Sequence, residues 1–413
     1  MQKNQNLFIE KLENGLTIIV DQIDGVESVS YELSIPGGLI HEGEDQAGSV
    51  LLLAELTSRG AGDLNARQIS DAFEGLGARH SESASSDSFS FRGLCLAPEF
   101  AECLGLTALQ VLHPTLPEEE IAPIKSLLLQ DIQSLPDSPS RLAMKELYAG
   151  YLPSPYNRSG LGTIEGISSA TRSSLQELHA KFFSPQGAVL SVAGKVKVEE
   201  VVALAKKLFS KWTGAELKDP HFTEATCPGY KHIHSDSAQL QIALAFPSAR
   251  YGDAEYYSAK VASVILSGGM FGRVFVEVRE KRGLVYSVYA RHLADRHSAY
   301  FVAYAGTTPE RAQETLDVLS ETLASVSKDL SPDELSRAKT HMKSSLVLGE
   351  ESTSSRAVSN ANDYWMLGRI RPFEEIMEQI NLVDQSRIAE LCNKFPAAKF
   401  YLTTLGSREL KVN

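Results

Sequence analysis

The residues best suited to chemistry are Arg279 and Tyr286, in the stretch Gly268–Ala290, GGMFGRVFVEVREKRGLVYSVYA. A guanidinium and a phenol are strong hydrogen-bond donors, and together they suit an oxygen acceptor. They lie seven apart but not on one helix face, because a turn separates them. Phe275, Val278 and Arg279 recur at helical spacing, and Lys281 and Arg282 load the last turn with cations that suit the negative end of the helix dipole. Gly283 then stops the helix, since glycine enters the left-handed conformation without a Cβ penalty. LVYSVYA continues as a strand rich in β-branched and aromatic residues. The reversal at Gly283 can bring both donors to one end of a sheet. Spacing alone leaves a plainer reading open, in which Arg279 pairs with Glu277 or Glu280 at the surface and Tyr286 is an ordinary amphipathic strand residue.

The elements around this stretch read as α+β. The pair Asn14-Gly15 between LFIEKL and LTIIVDQ signals a hairpin over residues 6–22, and SVSYELSI is a further alternating strand ended by Pro36. Helices are expected over 46–59, 65–76, 100–112 and 117–135, the second with Asn65 as N-cap and the last with Glu118, Glu119 and Glu120 in its first turn. Between them ARHSESASSDSFSFRGLCL reads as two strands with small polar residues on one face. Further helices over 171–183 and 198–212 bracket the strand GAVLSVAG. The segment 214–229, polar and carrying two prolines, is the best linker. Beyond it the order repeats, and the pair LQELHAKFF with AVLSVAG near the end of one half matches IAELCNKF with FYLTTLG at the end of the other. The expected organisation is two related domains, 1–213 and 230–413, each a mainly antiparallel sheet with helices on one face.

Composition excludes several classes. The chain has 413 residues, 43% hydrophobic and 22% charged, enough for two full cores. A net charge of −12 argues against nucleic acid and anionic membranes, which demand clustered cations. No apolar run approaches the roughly 18 to 20 residues of a membrane helix. The first residues lack the basic start and apolar core of a secretory signal, so a cytoplasmic location is expected. Cys95, Cys103, Cys227 and Cys392 have no CxxC spacing and read as free, buried thiols. His179, His232, His234, His292 and His297 form no spaced ligand set and read as surface or hydrogen-bonded histidines.

The REKRGLVY segment, with LENGLTIIV, GLGTIEGI and FFSPQGAVLSVAGKV, resembles the pitrilysin or insulinase family of zinc peptidases, which includes the mitochondrial processing peptidase. The likeness runs over nearly the whole chain. It implies that Arg279 and Tyr286 contact substrate close to the scissile bond. Peptide-cleaving members of the family carry HxxEH on a first-half helix, two zinc-ligating histidines around a catalytic glutamate. Counted from Gly48 and anchored on Arg59 and Gly60, those three positions fall here on Leu51, Ala54 and Glu55, and the family's third ligand matches Asp131. None of the first three carries the required group. Two carboxylates without an imidazole make a poor zinc site.

The resemblance therefore points to the zinc-less subunit of a two-chain bacterial type. It would hold no cofactor itself, would bind a peptide, and would pair with an HxxEH-bearing subunit that supplies the zinc. Two alternatives share the fold: a structural protein like the core subunits of a respiratory complex, and an independent peptide-binding clamp.

Overall fold

The computed structural model describes residues 6–412, so the short tail before Asn6 lies outside the described residues. The strands are β1 (Asn6–Lys11), β2 (Thr17–Gln22), β3 (Ser28–Pro36), the short ribbon β4 (Gly60–Ala61) and β5 (Leu64–Asn65), β6 (Arg79–Ala84), β7 (Ser88–Leu96), β8 (Val189–Gly194), β9 (Gly229–His234), β10 (Leu240–Pro247), β11 (Val285–Ala294), β12 (Ala299–Thr307) and β13 (Tyr401–Gly406). The fold is α+β, with two large sheets.

One sheet has the order β1-β2-β8-β3-β7-β6 and the other β11-β12-β10-β13-β9. Read from β6 and from β11 the two orders coincide, and so do the directions. The first three pairings are antiparallel in each, and the fourth, β8 with β2 or β13 with β9, is parallel. The repeat legible in the sequence is thus a repeat of topology.

In the first sheet the strand alternation decides the two faces. Val29, Tyr31, Leu33 and Ile35 of β3 join Phe89, Phe91 and Cys95 of β7 in a core with the helices Ser49–Thr57, Phe100–Leu112, Arg172–Phe182 and Val198–Phe209. The other face carries Ser30, Glu32 and Ser34 of β3 and Ser88, Ser90 and Arg92 of β7, and there Glu32 accepts from Ser90 and from Arg92 at 2.5 Å each. On β6 the exposed Arg79, Ser81 and Ser83 alternate with half-buried His80, Glu82 and Ala84, as the run of small polar residues suggests. The second core gathers Leu240, Ile242, Leu244 and Phe246 of β10 with Phe301, Ala303 and Ala305 of β12 and the helices Tyr256–Ser267 and Ala312–Ala324.

Helix ends follow local chemistry. Asn65 caps its helix in a reciprocal box with Gln68, both bonds 3.0 Å, and Thr171 caps the helix Arg172–Phe182. The Ser49–Thr57 helix has no side-chain cap of its own; instead the buried Glu42 accepts from the amides of Gly48 at 3.1 Å and Val50 at 2.5 Å.

The chain forms two compact units, and neither is contiguous: one is residues 1–133, 158–221 and 349–370, the other 134–157, 222–348 and 371–413. No helix or strand lies between Phe209 and Gly229, and the chain passes from one unit to the other there at residues 221 and 222. The units nevertheless differ from the halves 1–213 and 230–413 by an exchange of helices. The helix Thr353–Leu367 packs on β2, β3 and β8 of the first sheet, and the helix Pro139–Tyr151 packs on β9, β10 and β13 of the second.

Specific chemistry holds each exchanged helix. Arg356 grips Asp21 of β2 with two bonds of 2.7 Å, Asn360 adds a third at 3.1 Å, and Thr353 meets Ser30 at 2.9 Å. On the other helix Gly150 leaves room for Tyr401, whose ring a Cβ would strike. No periodicity reveals such an exchange, because each helix is amphipathic wherever its partner sheet comes from.

Candidate functional site

The stretch from Gly268 folds around Arg273. Its side chain donates to Glu334 through Nε at 2.8 Å and Nη2 at 3.1 Å, and to the carbonyls of Ser325 at 2.9 Å and Lys328 at 3.1 Å. The guanidinium beside Glu334 holds that carboxyl down at about 2. Arg273 is therefore a structural rivet, with every edge of its fork occupied.

Residues Phe275–Glu280 then form a π-helical turn, closed by the Lys281 amide on the Val276 carbonyl at 2.9 Å. The sequence reading expected an ordinary helix end here; the wider turn is a difference that three-to-four spacing does not reveal, and such turns recur at functional sites. Gly283 ends the turn as expected, with φ of 60°, its amide on the Arg279 carbonyl at 2.9 Å and the Leu284 amide on that of Val278 at 3.0 Å. Arg311 donates to the Gly283 carbonyl and the Thr307 hydroxyl to that of Leu284, each at 2.6 Å, which pins the reversal to β12.

β11 begins with an irregularity. Val285 is opposite Thr307 but Ser287 is opposite Gly306, so Tyr286 is the extra residue of a bulge. A bulge re-aims its side chain, and Tyr286 is 81% exposed. The Arg279 guanidinium lies over the Tyr286 ring at 5.6 Å and over the Phe275 ring at 5.0 Å. The structure thus brings Arg279 and Tyr286 together, as the reversal at Gly283 predicts.

The competing ion-pair reading fails on the partners. Glu277 accepts from Lys281 at 2.6 Å and Arg282 at 2.9 Å, and those cations hold its carboxyl below the usual range. Among the described residues no carboxylate pairs with Arg279, and neither it nor Tyr286 has a hydrogen-bond partner. Two aromatic faces fix the guanidinium while its N–H groups stay available.

The positions that the resemblance matches to the zinc motif are different in kind. Leu51 is half-buried on the Ser49–Thr57 helix, and Ala54 is in the core. Glu55 is exposed and lies 3.8 Å from Arg59 one turn on. Asp131 is half-buried on the helix Glu118–Gln133. Leucine and alanine offer no lone pair, so these residues do not fit a zinc ion. Among the described residues no group of three or more His, Cys, Asp and Glu converges as a metal site.

The histidines read as bonded rather than ligating do have such bonds: His179 donates to the Val111 carbonyl, His232 meets the Thr404 hydroxyl and His292 donates to the Ala249 carbonyl, each at 2.9 Å. His292 is buried within β11, and burial pushes it down to about 4. All four cysteines are free; Cys95 and Cys103 are buried, whereas Cys227 and Cys392 are only partly so. Among the described residues no helix is long and apolar enough to cross a membrane. Sequence reasoning missed the anchors Arg273, Thr307 and Arg311. Only the excess of arginine in the stretch hinted that some of it would be structural.

Comparison with known proteins agrees with this anatomy. Residues 169–342 match the family model described as the peptidase M16 inactive domain. A protein of Rickettsia felis named an uncharacterized zinc protease is 26% identical over 409 residues, covering 98% of this chain and 99% of its own. The Bacillus subtilis protein YmxG, with the same description, is 27% identical over 402 residues, covering 95% and 97%. A crystal structure of a peptidase M16 inactive domain from Pseudomonas fluorescens superposes with a TM-score of 0.90 at 23% identity, over 98% of this chain and 99% of that one. A protease from Helicobacter pylori gives 0.89 at 18%, over 97% and 99%. At those identities the two structures establish the fold alone. This chain is thus similar over nearly its whole length to proteins described as uncharacterized zinc proteases, and within residues 169–342 to the peptidase M16 inactive domain.

Proposed function

We propose that this chain is the substrate-binding, non-catalytic subunit of a two-chain zinc metalloendopeptidase. An HxxEH-bearing partner of the same family would supply zinc and the general base. This chain would hold a peptide or unfolded segment through Arg279 and Tyr286. One observation carries the reading: of the three arginines between Gly268 and Gly283, Arg273 and Arg282 are bonded to carboxylates and carbonyls, while Arg279 is clamped between two rings with its donors unspent. Spending a π-turn and a bulge to present two donors to solvent costs stability, and a binding role accounts for that cost.

Bound peptide carbonyls would accept from the guanidinium and the phenol, fixing the scissile bond for attack and stabilising charge as it develops. The test is reconstitution with the HxxEH-bearing subunit recovered from the host by pull-down on the tagged chain. The mixture should cleave a fluorogenic peptide that neither chain cleaves alone. Arg279→Ala and Tyr286→Phe should each lower kcat/KM by roughly a hundredfold to a thousandfold if the donor acts on the transition state, about 3 to 4 kcal/mol. Wild-type kcat/KM in both variants, with assembly intact on sizing, removes the pair from the site. A partner fully active as a homodimer and indifferent to this chain refutes the division of labour.

A further inference from the structure

The second unit contains a cavity of about 190 Å³ that the proposed site does not use. Its buried wall is Phe246, Leu266, Phe301, Leu323, Val326 and Leu391, with the Phe246 and Phe301 rings stacked at 5.2 Å. Exposed Lys328, Asn393 and Pro396 stand at the mouth. Ser327 and Cys392 line it half-buried, and among the lining residues the buried polar one is Ser248, 5% exposed, whose hydroxyl has no hydrogen-bond partner. A buried hydroxyl without a partner costs on the order of 1 to 3 kcal/mol, so it calls for an acceptor or donor from outside the chain.

No residue of the stretch 268–290 lines the cavity. Phe301 is near the start of β12 and Thr307, which pins the Gly283 turn, is at its end. Six residues of strand separate them by roughly 20 Å.

We infer that this cavity is a binding site for a small, mainly apolar molecule of one aromatic ring that carries a hydroxyl, the ring among Phe246, Phe301 and Leu391 and the hydroxyl on Ser248. Size supports the class: an apolar cavity of about 150 Å³ takes benzene, so this one takes a ring with a substituent. The polar atom supports the hydroxyl, because it rewards a ligand that hydrogen-bonds over one that does not.

The test titrates the full chain with phenol and with toluene by calorimetry. Accessible Cys392, which lines the cavity, reports occupancy through its rate of alkylation. Phenol should bind more tightly than toluene and slow alkylation of Cys392. Ser248→Ala should lower phenol affinity by roughly fivefold and leave toluene unchanged. Ala262 also lines the cavity, and Ala262→Leu, which fills the space, should abolish binding of both. If it fails to fold, Ser248→Ala alone decides. No binding of either probe at millimolar concentration, or phenol binding unaltered in Ser248→Ala, overturns the inference.

Discussion

Consider replacing Asp21 by alanine. Its carboxylate is 1% exposed and takes both 2.7 Å bonds from Arg356, itself 8% exposed, together with the bond from Asn360. The substitution leaves a guanidinium in the interior with one remaining carboxylate, Glu350, at 3.5 Å. Breaking a buried pair by removing one partner costs about 3 to 5 kcal/mol, chiefly through the desolvation of the survivor, and Glu350 should offset a small part. A loss of about 3 kcal/mol is therefore expected. It should fall on the docking of the Thr353–Leu367 helix before the rest of the sheet, since that helix is the element the pair holds. Limited proteolysis should open new cuts near Glu351 and Gly368, and urea unfolding should show an earlier first transition. Replacing Asp21 and Arg356 together by apolar residues should recover most of the loss, because no charge is then stranded. If Asp21→Ala shifts the first transition by less than about 1 kcal/mol, the exchanged helix is held by packing and the argument from burial fails.

Three further outcomes follow from the same reasoning. Arg273→Ala should destabilise the protein by about 2 kcal/mol or more, since it strands the partly buried Glu334, whereas Arg279→Ala should cost under about 1 kcal/mol; thermal melts of the two variants check this. Burial raises Glu42 to about 7, above its ordinary value of 4.5, so its share of stability is full below about pH 4.5 and is lost as the pH rises through about 7; Glu42→Gln should flatten that slope in denaturation curves taken from pH 5 to 8, and an unchanged slope would assign it to other groups. The purified chain should contain no stoichiometric zinc by elemental analysis, because Leu51 and Ala54, which the resemblance matches to a ligand and the base, offer neither group; one zinc per chain, with an activity that a chelator abolishes, would refute that.

The α+β class, the hairpin over residues 6–22 and the repeat of the strand order were legible in the chain itself, and the resemblance added that Leu51 and Ala54 stand where a zinc motif would. Each depends on neighbours in sequence or on one residue's chemistry: a strand period, a turn pair, a cap such as Asn65, or the fact that leucine has no lone pair. The meeting of Arg279 and Tyr286 was legible too, because only the short turn at Gly283 separates them. Their role as unspent donors was not, since three arginines in one stretch look alike until Glu334 and Glu277 take two of them. The π-turn and the bulge at Tyr286 were equally hidden, the bulge because it depends on what β12 presents opposite and the turn because it packs against β11 and the helix Ala312–Ala324. Tertiary structure alone decided the helix exchange. Arg356 meets Asp21 across 335 positions of sequence, and no local preference encodes a partner that far away.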